Sequence, residues 1–223
     1  EAGEVVKGET LCTTGIWRAR PDGSGVELLA WGVCNPWGMA FDEAGDLFVA
    51  DLCMEEKGDR AVGEDPGKVW RIDKAREPYG GVTTPAWYGF PEIAGDGLPV
   101  WHEAHRPNRG VPPKPLLQDP PAWAGPAVWL TEPHAAHGKL DFCRSDAFGH
   151  RGQMFLCLFG TYYPLNTIRP EARDRGFNVM RIDPASRRGE VFLHNRHAGS
   201  AAEHGSGGIE RPVDCKFHPD GES

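Results

Sequence analysis

The sequence predicts an all-β fold that forms part of a β-propeller. Two observations support this prediction: the strand-like segments are short and separated by turn residues, and two patterns of such segments each occur three times. The first pattern, an apolar/polar alternation closed by Asp, Pro or Gly, occupies residues 15–23, 68–73 and 178–183. The second pattern joins two apolar strands through a turn at residues 35–50 and 137–157, and it begins again at 211–221. Recurring units of short strands are typical of propeller blades, each a four-stranded sheet.

The order of the repeats divides the chain into blades. Residues 1–31 are predicted as the tail of one blade, 32–75 as a blade, 76–125 as an insertion, 126–208 as a second blade and 209–223 as the start of the next. The repeats recur after 101 residues (Phe41 to Phe142) and 75 residues (Phe142 to Phe217), so even a six-bladed ring needs on the order of 400 residues. The 223 residues therefore account for about three blades of one propeller domain.

The insertion is rich in proline, which lacks the amide hydrogen that a central strand needs. We therefore predict an ordered loop at 76–125, either a solvated surface connection or a loop over the propeller face. Its aromatic side chains, which favour packing, are Trp87, Tyr88, Phe90 and Trp101.

Charge, hydropathy and cysteine spacing exclude several classes of protein. The formal net charge is -8 and no block of Lys or Arg occurs, so the chain lacks the basic surface that binds nucleic acid. No apolar run approaches the roughly 20 residues that a membrane span requires. The six cysteines show no zinc, haem or thioredoxin spacing, although their even number permits up to three disulfides. Cys143 and Cys157 lie in apolar runs and are predicted to be buried.

Several segments, in this order, resemble the soluble quinoprotein sugar dehydrogenases, the glucose/sorbosone dehydrogenase group of six-bladed propellers. They are Ala-Trp-Gly-Val-Cys-Asn-Pro-Trp-Gly-Met-Ala-Phe at 30–41, Gly-Asp-Leu-Phe-Val-Ala-Asp at 45–51 and Trp-Tyr-Gly-Phe-Pro at 87–91. Further segments at 132–134, 140–142, 147–149 and 207–214 resemble the sorbosone-dehydrogenase-like branch.

The resemblance implies an enzyme that oxidises an aldose or a sugar aldehyde such as sorbosone. Pyrroloquinoline quinone (PQQ) accepts the electrons in that family, calcium holds the quinone, and an external acceptor reoxidises it. The resemblance further implies a periplasmic or secreted protein. It assigns cofactor binding to Asn35 and Arg211, and calcium binding to Asp51 and Asp65 in an acidic loop. A solvated acidic loop without metal is the alternative, since the ordered spacing of a calcium loop is absent.

The chain departs from the family pattern at three expected donors. Cys34 replaces an Arg, Leu158 replaces a Lys and Val213 replaces a second Arg. The family's catalytic His is expected in a blade upstream of this chain. The candidate within the chain is His134, either as a base or sugar ligand, or as a partly buried His bonded to backbone. A non-catalytic carbohydrate-binding or scaffold propeller that has lost the quinone is the alternative function.

Overall fold

The computed structural model describes residues 14–52, 54–165, 169–205 and 207–218. Within these ranges the chain forms eleven β-strands, four short 3-10 turns and no α-helix, which confirms the all-β prediction. The strands are β1 (Gly15–Arg18), β2 (Glu27–Trp31), β3 (Pro36–Phe41), β4 (Leu47–Asp51), β5 (Lys68–Ile72), β6 (Ala86–Trp87), β7 (Trp129–Leu130), β8 (His137–Phe142), β9 (Met154–Leu158), β10 (Asn178–Asp183) and β11 (Arg188–His194). The 3-10 turns are Asp73–Arg76, Glu103–His105, Pro170–Ala172 and Ala201–His204.

The strands assemble into three separate sheets. The first sheet has the order β1-β2-β6, the second β3-β4-β5-β7 and the third β11-β10-β9-β8. All pairs are antiparallel except β2 with β6. The second and third sheets are therefore up-and-down arrangements of four short strands, as in a propeller blade, whereas the first sheet ends in a parallel pair.

Apolar side chains fill the space between neighbouring sheets. The first two sheets share a buried cluster that includes Leu29, Val49 and Trp70. The second and third sheets share another, in which the rings of Phe48 and Phe142 lie 5.0 Å apart between centroids. Because both faces of the second sheet are covered, every residue of β4 is buried.

The strands β3 and β8 contact each other at the centre of this packing. A side chain at Gly38 of β3 would place its Cβ 2.7 Å from the Cα of Lys139 and 3.1 Å from the carbonyl oxygen of Gly138. Glycine is therefore required at this position, because any other residue would push the two backbones apart.

The predicted insertion is packed rather than solvated over its first half. Its residues Ala86–Trp87 form β6 and extend the first sheet through parallel pairing with β2. Trp87 and Tyr88 are buried, and Phe90 packs beside Val62, whereas Trp101 is 41% exposed. Through these contacts Trp87, Tyr88 and Phe90 anchor the segment to the rest of the fold.

One boundary of the predicted blades differs from the structure. The repeat pattern assigns residues from 126 onwards to the following blade, whereas Trp129–Leu130 pairs with β5 as the fourth strand of the second sheet. The chain thus leaves the second sheet after β5, forms the insertion and then returns to add β7 to the same sheet. A two-residue strand is too short to show a period, so the pattern could not reveal this pairing.

Cysteine burial agrees with the prediction where the structure describes it. Cys143 and Cys157 are fully buried, and both are free thiols, as are Cys34 and Cys215. Cys12 and Cys53 lie outside the described residues. Among the described residues, none forms a helix of the length and apolar character needed to cross a membrane.

Candidate functional site

The sequence-predicted site residues lie at one end of the second and third sheets. Pro36 pairs with Asp51 and Asp51 with Lys68, so β3 and β5 begin, and β4 ends, at this end. A Cβ at Gly67 would lie 2.4 Å from Nε2 of His137, which places the start of β8 there as well. We call this the site end; the four strand ends around 36, 51, 68 and 137 define it.

Arg211 belongs to the same end. It precedes the segment 213–217, which runs beside β8: Lys139 N–H donates to the carbonyl of Val213, and Phe217 N–H donates to the Asp141 carboxylate. The Arg211 guanidinium donates to the carbonyl oxygens of Gly160 (3.3 Å) and Thr161 (3.0 Å), just past the end of β9.

Aromatic rings surround the Arg211 cation. Its guanidinium carbon lies 4.8 Å from the ring centroid of Phe159 and 5.0 Å from those of Tyr162 and Phe177. Such contacts hold the guanidinium in place and leave its remaining N–H groups as donors. Asn35 is exposed, and its side-chain amide makes no hydrogen bond within the described part of the chain.

Asp51 is a buried anchor for the turn that carries Asn35. Its carboxylate accepts hydrogen bonds from the backbone N–H groups of Cys34 (3.1 Å) and Asn35 (2.6 Å) and from the indole N–H of Trp70 (3.0 Å). Burial raises the pKa of the Asp51 carboxyl, and the nearby charge of Lys68 and these donors offset that shift only in part. The residue therefore fixes the backbone at the start of β3.

Asp65 and Lys68 form a buried ion pair beside it. Lys68 Nζ lies 2.5 Å from Asp65 Oδ2, and the Asp65 carboxylate also accepts from the backbone N–H groups of Met54 (2.7 Å) and Gly95 (3.0 Å). Burial lowers the pKa of the Lys68 ammonium, but the charges of Asp65 and Asp51 outweigh burial and raise that pKa overall. This ion pair ties the acidic loop and the insertion to β5.

These contacts do not fit the calcium site that the resemblance implies. Both Asp51 and Asp65 already accept three hydrogen bonds each, with a buried ammonium group between them. In the described ranges, no cluster of three or more His, Cys, Asp or Glu side chains could hold a metal ion. We therefore assign Asp51 and Asp65 to the framework of the site end.

His134 lies in a strained turn directly before β8. Its φ of 67° falls in the left-handed region, which non-glycine residues rarely adopt, and its side chain is 2% exposed. His134 Nδ1 lies 3.2 Å from Glu55 Oε2, and Nε2 lies 3.4 Å from Glu64 Oε1. Within the described residues the imidazole is therefore hydrogen-bonded through Nδ1 to the Glu55 carboxylate, while Nε2 lies near Glu64 without forming a hydrogen bond.

The acidic loop is held by ion pairs that the sequence did not predict. Arg169 donates to both carboxylate oxygens of Glu56, at 2.9 and 2.7 Å, and also pairs with Glu64. Arg175 donates to Glu64 at 3.0 Å. Because the carboxylates and guanidinium groups are more than 100 positions apart in sequence, no local sequence motif predicts these ion pairs. Charge pairs thus hold Glu56 and Glu64, whereas residues 57–59 of the loop are exposed, as the alternative interpretation expects.

The three positions where a family donor is missing have different environments. Cys34 is partly buried, and burial together with the charge of Asp51 raises the pKa of its thiol to about 12, so the thiol is neutral at physiological pH. Leu158 is buried in the core between the second and third sheets. Val213 is 58% exposed, and its carbonyl accepts from β8. None of these three residues supplies a positive charge; the site end has the buried Lys68 ammonium and the Arg211 guanidinium instead.

Similarity to known proteins is confined to three-dimensional structure. No protein-family model and no curated protein sequence matches the chain. The holo PQQ domain of pyranose dehydrogenase from Coprinopsis cinerea matches 88% of this chain with a TM-score of 0.52 and 18% sequence identity. The PQQ-bound aldose sugar dehydrogenase from Streptomyces coelicolor matches 83% of this chain with a TM-score of 0.45 and 16% identity. This chain covers 40% of that protein. The chain spans 51% of the pyranose dehydrogenase domain, and it therefore has the fold of about half of a six-bladed propeller of the PQQ-domain type.

Proposed function

We propose that the intact protein containing this chain is an oxidoreductase of the PQQ-dependent sugar dehydrogenase kind. Its substrate in this proposal is an aldose or a sugar aldehyde such as sorbosone, and an external acceptor takes up the electrons outside the cytoplasm. The observation that carries the proposal is the fold shared with a holo PQQ domain over 88% of the chain. The two donors at the site end, Asn35 and Arg211, add chemical support.

These two residues suit an anionic quinone. PQQ is planar and carries carboxylates and carbonyl oxygens, which require hydrogen-bond donors and positive charge. Asn35 offers an amide without a competing partner in the described chain, and Arg211 offers a guanidinium fixed by three rings. When bound, PQQ supplies the electron acceptor for the sugar carbon.

His134 has a positioning role in this proposal. Its burial and its contacts with Glu55 and Glu64 keep the imidazole from reaching a sugar directly, but they join the acidic loop to the turn before β8. We assign the base that removes the sugar hydroxyl proton to a residue outside this chain, as the resemblance implies.

The experiment is dye-coupled sugar oxidation by the intact protein supplied with PQQ. We expect PQQ-dependent reduction of the dye with at least one aldose or with sorbosone, and a loss of about tenfold or more in Asn35→Ala, because a hydrogen bond to a charged group contributes about 1.5–3 kcal/mol. Asn108→Ala is the matched control, since Asn108 is also exposed but lies in the insertion. Sugar binding without PQQ-dependent oxidation would instead identify the non-catalytic carbohydrate-binding propeller.

A further inference from the structure

Two cysteines meet where the segment 211–218 crosses the third sheet. In β9 successive side chains alternate between faces: Leu156 and Leu158 face the second sheet, whereas Phe155 and Cys157 face away from it. Cys215 packs on that second face, in the same apolar cluster as Cys157. The two residues are 58 positions apart in sequence and join neighbouring repeat units.

The two thiols lie close together in this cluster. Each thiol is the largest influence on the pKa of the other. The Cys215 thiol also lies 3.4 Å from the carbonyl oxygen of Phe155, one of the residues that flank this pair.

The backbone around the pair is fixed at close range. Lys139 N–H donates to the carbonyl of Val213 at 2.9 Å, which aligns the segment with β8. A Cβ at Gly138 would lie 2.7 Å from that carbonyl oxygen and 3.0 Å from Cβ of Cys157. The glycine therefore permits the close approach that brings Cys215 onto β9.

The surroundings of the two thiols differ. Cys157 is fully buried, whereas Cys215 is partly exposed. The interaction with Cys157 lowers the pKa of the Cys215 thiol, and the interaction with Cys215, together with burial, raises the pKa of the Cys157 thiol. Cys215 is thus the thiol that ionises first and that an oxidant in solution can reach.

We propose that Cys157 and Cys215 form a disulfide that fastens the segment 211–218 to the third sheet. The oxidant is a low-molecular-weight disulfide such as oxidised glutathione. The Cys215 thiolate attacks one sulfur of the oxidant, whose S–S bond breaks and releases one thiol. Cys157 then loses its proton to solvent and attacks Cys215 Sγ in the mixed disulfide, which releases the second thiol. Two protein thiols lose two electrons, and the oxidant becomes two thiols.

The remaining described cysteines are poorer partners. Cys143 lies in the same cluster, but its thiol donates to the carbonyl oxygen of Ser145 at 3.4 Å. Cys34 packs in a separate cluster with Met54, Val62 and Val100. The pairing of Cys157 with Cys215 is therefore specific within the described part of the chain.

The test treats the intact protein with oxidised or reduced glutathione, blocks free thiols under denaturing conditions and maps the peptides without reduction. We expect a linked peptide joining Cys157 to Cys215 after oxidation, and a melting temperature about 5–15 °C higher than in the reduced protein, because the bond closes a loop of about 60 residues. Cys143→Ala should keep both effects.

Cys215→Ala and Cys215→Ser should each lose the linked peptide and the shift in melting temperature. Recovery of Cys157 and Cys215 as fully alkylated peptides after oxidation would overturn the proposal. So would a linked peptide that joins either residue to Cys143.

Discussion

At the scale of single residues, the site end depends on a buried cation between two buried carboxylates. Lys68 contacts Asp65 directly and is stabilised in its charged form by Asp51 as well. Removing one member of a buried charge group is costly, because the remaining charges lose their partner and stay out of water. The buried charges of Lys68, Asp65 and Asp51 therefore stabilise the backbone turn that carries Asn35.

Lys68→Met should lower the free energy of unfolding of the intact protein by about 3–5 kcal/mol. The measurement is denaturant unfolding at neutral pH. Lys74→Met is the matched control: Lys74 pairs with Glu77 at the surface, where an ion pair contributes about 1 kcal/mol or less. A loss in Lys68→Met as small as that of the control would show that the buried group contributes little.

His137 is a buried histidine that the fold keeps neutral. Burial, and then the charge of Lys68, lower its pKa from 6.5 to about 3, and its Nε2 lies 2.7 Å from Thr131 Oγ1. The folded state therefore binds fewer protons than the unfolded state between these two values. The contribution of His137 to the free energy of unfolding is complete above pH 6.5 and is lost as the pH falls from 6.5 towards 3.

We expect His137 to contribute a fall in unfolding free energy of up to about 1.4 kcal/mol per pH unit below its unfolded pKa. Comparing unfolding curves of wild type and His137→Gln between neutral and mildly acidic pH isolates this contribution, which the variant should lack. His194→Gln, at an exposed histidine, should retain the wild-type slope. Equal slopes in wild type and His137→Gln would contradict the account.

At the scale of elements, the central contact is that of β3 with β8. Gly38 allows the two backbones to approach so closely that an added Cβ would meet the Lys139 Cα at 2.7 Å. The same close approach recurs between Gly138 and the segment 211–218. These glycines set the spacing of the innermost strands, and hence the distance between residues at their ends.

Gly38→Ala should destabilise the intact protein by about 1–3 kcal/mol, the usual cost of overpacking a buried contact. Thermal or denaturant unfolding measures this loss. Gly207→Ala is the control, because a Cβ at Gly207 meets no atom within 4 Å. A Gly38→Ala protein as stable as the control would show that the inner strands are not in contact as described.

The sequence predicted most of the longer strands, but neither the two shortest strands nor β11, which is the longest. Period-two or continuous apolar patterns mark β3, β4, β5, β8, β9 and β10, all of at least five residues. The strands β6 and β7 have two residues each and are specified by partners distant in sequence. Their pairing depends on tertiary packing, which no local pattern encodes.

The candidate site was predictable to a similar extent. The resemblance predicts Asn35 and Arg211 as cofactor donors, and this assignment stays a prediction for which the structure supplies two donors at the site end. It also predicts Asp51 and Asp65 as calcium ligands, whereas in the structure both carboxylates accept from backbone N–H groups; a carboxylate in a loop has the same sequence signal in either role. The ion pairs of Arg169 and Arg175 join segments more than 100 positions apart and require the structure.

At the scale of the whole molecule, the three sheets stack side by side, and the proposed donors Asn35 and Arg211 lie at one end of the second and third sheets. The faces of the second sheet pack against both neighbours, so the strand ends of β3, β5 and β8 stay aligned. The exposed edge of this arrangement is a stripe on β3, where Trp37, Met39 and Phe41 are 59%, 57% and 52% exposed. This stripe follows the exposed Asn35 along the chain. A segment that packed on the stripe would therefore also border the site end.

Binding of PQQ to the intact apoprotein tests the central claim most directly. The measurement is a fluorescence or absorbance titration of wild type, Arg211→Met and the control Arg151→Met, whose arginine pairs with Glu43 and Asp146 at the surface. We expect saturable binding by wild type and by the control, with affinity about ten- to hundredfold weaker in Arg211→Met, because a charge-assisted hydrogen bond contributes about 1.5–3 kcal/mol. No PQQ binding by wild type, or equal affinity in Arg211→Met, would contradict the claim that the site end holds the quinone.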